Sequence, residues 1–229
     1  MKPKAWSYSA LNSFLTCPRQ YYEMSVAKNY PYVQGPEAKW GDRVHKLIED
    51  HVRNKSKLQN TDELNAGMKS TVLDILNRLD RMGCEYVAEG KSSLNHKLKP
   101  CGYFDKDTWV RCILDLLAFH PNGTTATIID WKTGKVRPDD KQLKLFALMV
   151  FYQYPNITMV DAQFAWLSHD HSTVKVFKRE QIGQLWGEFL PDLKRFREAF
   201  LTDDWPAKKS GLCQKWCDVT SCEHNGRNA

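Results

Sequence analysis

Asp130 and Lys132 end the run Ile128-Ile129-Asp130-Trp131-Lys132 and carry groups that act on phosphates. In a strand, side chains at i and i+2 share a face, so this carboxylate and ammonium project together. A carboxylate holds a hard divalent cation; an ammonium beside it orients a water or neutralises a phosphate. The preceding run, Val110 to Phe119, reads as a second strand, joined through His120-Pro121-Asn122-Gly123-Thr124. Asn-Gly is a strong hairpin signal because both central residues of the favoured turn need positive φ. With Asn122 and Gly123 at the turn centre, opposed residue numbers sum to 245, which sets Asp115 across from Asp130. Their Cβ atoms would lie about 4.5–5.5 Å apart. Two such carboxylates repel, and a cation between them turns the penalty into a binding site. Lys132 would then face Ile113.

The tail supplies a second group. Cys213, Cys217 and Cys222 place three thiols within ten residues of a polar segment that offers no core to fill. They can converge on one metal centre, which needs a fourth ligand. Cys17, followed by Pro18, is one candidate and His224 the other. Cys84, Cys101 and Cys112 read as small buried hydrophobes. Seven cysteines, an odd number, with no apparent secretion signal, argue for metal or cluster ligation over a disulfide scaffold.

The elements that must position these groups follow from periodicity. A helix is expected from Ser9 to Met24, capped by Ser7 or Ser9, then a loop to Pro36 and a helix from Glu37 to Val52. Thr61 opens a third helix with an apolar stripe at Leu64, Met68, Val72, Leu76 and Leu79. Strands follow from Glu85 to Asp130, then a buried helix from Asp139 to Tyr154 and strands at Thr158–Leu167 and Thr173–Lys178. Ile182 to Phe200 marks a last amphipathic helix, bent at Pro191, and the chain from Trp205 is loop-like. The reading is a mixed α/β single domain: a helical part at 1–84, an α/β core at 85–204 with a mixed sheet flanked by helices, and a cysteine-rich tail at 205–229 packed on the first helix. No apolar run is long enough to span a membrane, and Met1-Lys2-Pro3-Lys4 does not begin a signal peptide, which points to the cytoplasm. The net charge of +6, from 33 basic and 27 acidic residues, is compatible with nucleic acid without demanding it.

Several blocks together resemble a known family. Ser7-Tyr8-Ser9-Ala10-Leu11-Asn12-Ser13-Phe14-Leu15-Thr16-Cys17-Pro18-Arg19-Gln20-Tyr21 looks like the start of RecB-like nucleases of the PD-(D/E)XK superfamily. It is similar in particular to the iron–sulfur branch, which includes the AddB nuclease domain, CRISPR-associated RecB-like exonucleases and small phage-type exonucleases. Gly41-Asp42-Arg43-Val44-His45 resembles the G-x-x-x-H motif, Leu114-Asp115 the first acidic motif, Asp130-Trp131-Lys132 the D/E-x-K motif, and Gln142 to Phe146 the Q-x-x-x-Y motif, with phenylalanine in place of tyrosine. The resemblance implies a restriction-endonuclease-like core. Mg²⁺ or Mn²⁺ would be held by His45, Asp115, Asp130 and the backbone carbonyl of Trp131, with Lys132 and Gln142 acting at the reacting phosphate. It also implies a [4Fe–4S] cluster on Cys17, Cys213, Cys217 and Cys222, for which structural zinc is the competitor.

The implied activity is hydrolysis of phosphodiester bonds at DNA ends, on single strands or ends with single-stranded character. The setting would be phage or bacterial replication, recombination or genome degradation, in the bacterial host cytoplasm if phage-encoded. A homo-oligomer, or recombination and replication proteins, are possible partners. Arg19, Lys135, Arg137, Lys141 and Lys144 flank the motifs and could meet a DNA backbone, and Tyr8 could stack a base. Trp131 should point away from Asp130 into the core, and Glu89 reads as an exposed strand residue that could also line the site. The rival readings are a non-catalytic DNA-binding module or a zinc-stabilised adaptor of a larger helicase or integration complex.

Overall fold

The computed structural model describes residues 5–228 of the chain. Helix α1 (Tyr8–Thr16) is capped by Ser7, whose hydroxyl accepts from the Ala10 N–H at 3.3 Å. The helix expected to reach Met24 instead breaks at Cys17, which is extended at φ −158° and ψ 109°. Pro18 is the cause, because the residue before a proline is pushed out of the helical region. Cys17 thus stands at a corner between α1 and α2 (Pro18–Tyr21), which continues as a π-helical turn over Tyr22–Val26. Helix α3 (Pro36–Asn54) opens on a proline, where a missing N–H costs nothing. Helix α4 (Ala66–Arg81) begins later than Thr61: Asn65 is its cap, accepting from the Met68 N–H at 3.0 Å. Thr61 instead closes a turn by accepting from the Leu64 N–H.

Strands β1 (Glu85–Asn95), β2 (Thr108–Phe119) and β3 (Thr125–Lys132) lead to helix α5 (Lys141–Gln153). Then come β4 (Met159–Trp166), β5 (His171–Lys178), helix α6 (Ile182–Thr202), which continues through Pro191, and a short α7 (Leu212–Lys215) in the tail expected to be loop. The five strands form one mixed sheet in the order β1-β2-β3-β4-β5, with β3–β4 parallel and the other pairs antiparallel. β3 is buried from Thr125 to Trp131, as a central strand covered on both faces must be.

The β2–β3 register is the expected one: Leu116 pairs with Ile129 and Phe119 with Ala126. The turn is different. His120 N–H donates to the Thr125 carbonyl at 3.1 Å, so the connection has four residues, and of the Asn-Gly pair only Gly123 has positive φ. Asn122 contributes its side chain, accepting from the Thr124 and Thr125 N–H groups. Both turns share a centre, so the register is unchanged. The β2–β3 ladder ends at Leu116–Ile129, so Lys132 is not paired with Ile113; it pairs with Trp166 of β4.

Two compact units make up the chain: residues 34–185, and residues 1–33 with 186–229. In the larger, Leu116, Ala118, Ile129 and Trp131 of the sheet pack with Val44 and Ile48 of α3 and Met68, Val72, Leu76 and Leu79 of α4. Burying each such aliphatic side chain contributes about 1.5–3 kcal/mol. The smaller unit is centred on aromatic rings: Phe14 meets Phe196 at 5.1 Å, and Phe200 meets Trp205 at 4.9 Å, both edge to face. Among the described residues no helix is long and apolar enough to cross a membrane.

Candidate active site and cysteine centre

The chemistry-bearing residues of the larger unit meet where β2 and β3 part. Asp115, one residue beyond the last ladder pair, accepts from the Trp131 N–H at 2.8 Å and lies 3.3 Å from His45 Nδ1. The Trp131 indole is buried among the core side chains on the other face, as alternation requires. Asp130 is 3 % exposed. Its Oδ1 accepts from Gln142 Nε2 at 3.2 Å. Its Oδ2 is ion-paired with Lys132 Nζ at 2.5 Å. Lys132 Nζ donates to Gln142 Oε1 at 3.0 Å and lies 5.0 Å from the Phe164 ring centroid. Gln142, in the first turn of α5, thus ties the carboxylate and the ammonium to one helix. Phe146, one turn further on, is buried in the core.

Gly41 explains how α3 brings His45 to the site. A Cβ at Gly41 would sit 3.0 Å from Thr133 Oγ1, just past the end of β3. The helix therefore packs close to the strand end, and His45 lies one turn on, on the same side.

Glu89, read from the sequence as an exposed strand residue that could also line the site, is half-buried in β1 and stands at that site. The β1–β2 register runs through Ala88–Leu116 and Gly90–Leu114, which sets Glu89 opposite Asp115. Its φ of 52° lies in the left-handed region, a conformation that costs about 1–3 kcal/mol and recurs at functional sites. The ligand atoms of His45, Glu89 and Asp115 all lie within 4.8 Å of one another. Asp130 stands outside that trio, held beside it by Gln142 and Lys132.

The crowding shows in the proton affinities. Burial, then the Asp115 charge, pushes the Asp130 carboxyl up to about 7 against the pull of Lys132. Burial and the charges of Asp115 and Glu49 push Glu89 up. Burial alone would lower His45, but the hydrogen bond and charge of Asp115 outweigh it and raise its pKa. Protons here stand in for missing positive charge. Oxygen and imidazole ligands gathered this closely suit a hard divalent cation.

The basic candidates separate. Lys135 and Arg137 are exposed in the segment after β3. Lys144 is ion-paired with Asp140 at 2.8 Å, and the Lys141 N–H donates to Asp139. In the smaller unit, Tyr8 opens α1 and Arg19 is paired with Glu23 at 2.9 Å.

The smaller unit gathers the four cysteines. Cys17, Cys213, Cys217 and Cys222 line one small pocket, with His224 and Asn225 at its wall. The Lys208 N–H donates to Cys17 Sγ and the Ser210 N–H to Cys213 Sγ, each at 3.4 Å. Burial, reinforced by the other three cysteines, pushes the Cys217 thiol up. Cys84 and Cys112 are buried as expected, whereas Cys101 is only half-buried and lies with Asp105 and Asp107.

The family model for the PD-(D/E)XK nuclease superfamily matches residues 5–222. No curated protein matches the chain. Among solved structures, a protein named as a candidate exonuclease from Eubacterium rectale superposes with a TM-score of 0.51 at 12% identity, over 96% of this chain and 88% of that one. SSO0001 gives a TM-score of 0.46 at 14% identity, over 98% and 88%.

Proposed function

The chain belongs to the PD-(D/E)XK nuclease superfamily, and from that premise we propose a Mg²⁺- or Mn²⁺-dependent DNA exonuclease of the iron–sulfur RecB-like branch. The observation that carries this reading is the meeting of His45, Glu89 and Asp115 beside the Asp130–Lys132–Gln142 link. His45, Asp115, Asp130 and the Trp131 carbonyl would hold the cation, and Glu89 would offer a further carboxylate. The cation, when bound, polarises the scissile phosphate and lowers the pKa of an attacking water. Lys132 orients that water and offsets the charge that develops on the phosphate. Gln142 keeps Lys132 and Asp130 in line. His45 must give up its proton to act as a ligand.

The cysteine centre is read as a [4Fe–4S] staple that holds the tail to the corner at Cys17. Two N–H···S bonds support it, since donors to cluster thiolates are common. The substrate is a DNA end with single-stranded character, in phage or bacterial replication, recombination or genome degradation in the cytoplasm. The test is end-labelled single- and double-stranded DNA incubated with Mg²⁺, Mn²⁺ or chelator. Cleavage should need the cation and vanish in Asp130→Ala and Asp115→Ala; full activity of Asp130→Ala would refute the assignment.

A further inference from the structure

The β1–β2 hairpin extends beyond the carboxylates and carries a feature that hydrolysis does not use. On β2 the less buried residues alternate, Trp109, Arg111, Ile113 and Asp115, so Arg111 and Ile113 share the face of Asp115. Ile113 is exposed there and lies across from the exposed Lys91 of β1. Arg111 is four residues from Asp115, roughly 13 Å along the strand. Above this strip stand Tyr103 and Phe104, ring centroids 5.0 Å apart. Phe104 is 78 % exposed, an unusual position for a phenylalanine.

The aromatic pair is held, not dangling. Tyr103 and Phe104 are the two central residues of a turn closed by the Asp105 N–H donating to the Gly102 carbonyl at 3.1 Å. The Asp105 carboxylate accepts from the Gly102 N–H at 2.7 Å, and the Thr108 hydroxyl donates to the same Gly102 carbonyl at 2.8 Å. Two cations sit against the rings. The Arg111 guanidinium is 5.0 Å from the Tyr103 centroid and 5.7 Å from that of Phe104; Lys91 Nζ is 5.7 and 5.8 Å away. Neither cation makes an ion pair with an acid among the described residues. An exposed ring, backed by the half-buried Tyr103 on a fixed turn and combined with unneutralised cations, matches single-stranded nucleic acid, whose bases stack and whose phosphates need positive charge.

We propose that this face of the hairpin is a track for single-stranded DNA. Lys91 and Arg111 hold phosphates, and Tyr103 and Phe104 stack bases, on the way to Glu89 and Asp115. The 13 Å between Arg111 and Asp115 accommodates about four nucleotides at the rise of a stacked strand. The proposal rests on the nuclease reading and names how its substrate is guided.

The test uses the full chain in chelator, so that binding is read without cleavage. Fluorescence anisotropy follows a labelled oligothymidylate and an abasic oligomer of equal length, over a series of salt concentrations. Phe104→Ala should weaken oligothymidylate binding roughly 5- to 150-fold, the equivalent of one base–aromatic stack, and leave abasic binding unchanged. Arg111→Gln should weaken both and reduce the salt slope by about 0.7, the value for one phosphate contact on a single strand. If Phe104→Ala does not fold, Phe104→Leu, which keeps the apolar bulk without a ring, should show the same selective loss. Unchanged oligothymidylate affinity in the Phe104 variant, or an equal loss on both oligomers, overturns the track. If wild-type protein degrades DNA with Mn²⁺ while the Phe104 variant binds normally, the track alone fails. If wild-type protein neither binds nor degrades DNA, the nuclease reading fails and takes the track with it.

Discussion

Asp130→Asn should make the cation-free protein more stable at alkaline pH, although it removes a residue of the site. The Asp130 carboxyl moves from an ordinary value of 3.8 to about 7 in the folded chain, chiefly through burial. A raised acid binds its proton more tightly when folded. Its stabilising contribution is therefore complete below pH 4 and is lost as pH rises through about 7. Three pKa units at 1.36 kcal/mol each put the cost of the buried charge at roughly 4 kcal/mol. Asparagine keeps the shape, and can keep the Gln142 hydrogen bond, without that charge. Lys132 loses its ionic partner, but at 27 % side-chain exposure it recovers part of this from water. The net gain at pH 8 should be about 1–4 kcal/mol, and each kcal/mol moves Tm by about 2–4 °C in a chain of this length. Thermal unfolding of both proteins at pH 4 and pH 8, with chelator and with Mn²⁺, is the assay. The variant should be the more stable at pH 8 in chelator, should lose that advantage at pH 4, and should gain less than wild type from Mn²⁺. A variant less stable than wild type at pH 8 in chelator would refute the reasoning, and so would an advantage independent of pH.

The raised pKa values of His45 and Asp130 predict that Mn²⁺ binding releases protons and that apparent affinity weakens as pH falls through neutrality; calorimetry in buffers of different ionisation enthalpy would read this, and a pH-independent affinity would contradict it. Gln142→Ala removes hydrogen bonds to both Lys132 and Asp130 and should lower kcat about 10- to 100-fold with little change in KM, as losses of supporting partners at metal sites do. Gly41→Ala should weaken Mn²⁺ binding by forcing α3 away from Thr133, and adding Thr133→Ala should restore it; no restoration would place the fault elsewhere. Cys217→Ala should lose iron and destabilise the smaller unit, whereas wild-type protein purified anaerobically should carry iron and sulfide near four each; colourless protein with one zinc would overturn the cluster.

Much of the site could be read from the sequence because its parts are local. The β2–β3 register follows from a short connection with a symmetric centre, whatever the turn type, but the ladder stops at Leu116–Ile129, one pair short of Asp115 and Asp130. Glu89 lay out of reach: twelve irregular residues separate β1 from β2, so no turn chemistry sets that register, and its left-handed backbone leaves no mark in the pattern. The corner at Cys17 was visible in Pro18, but helical periodicity on both sides masked it. Asn65 and Thr61 are both good caps, and only tertiary context chose between them. The cysteines point to a tail packed on the first helix, but the aromatic positions of α1 and α6 announce buried faces without saying what covers them, so the share of α6 in that unit is not legible.

That union orders events during synthesis. Residues 1–33 leave the ribosome before 34–185, and the residues they pack with follow it, from 186 onward. At about 5–20 residues per second, the 189 residues from Gln34 to Cys222 take roughly 10–40 s to emerge. Over that interval Trp6 lacks Trp186 and Phe189, and Phe14 has Tyr21 but lacks Phe196 and Trp205, while 34–185 already holds every residue of the candidate site. The nascent chain therefore completes its candidate site before the unit that unites its two outer segments.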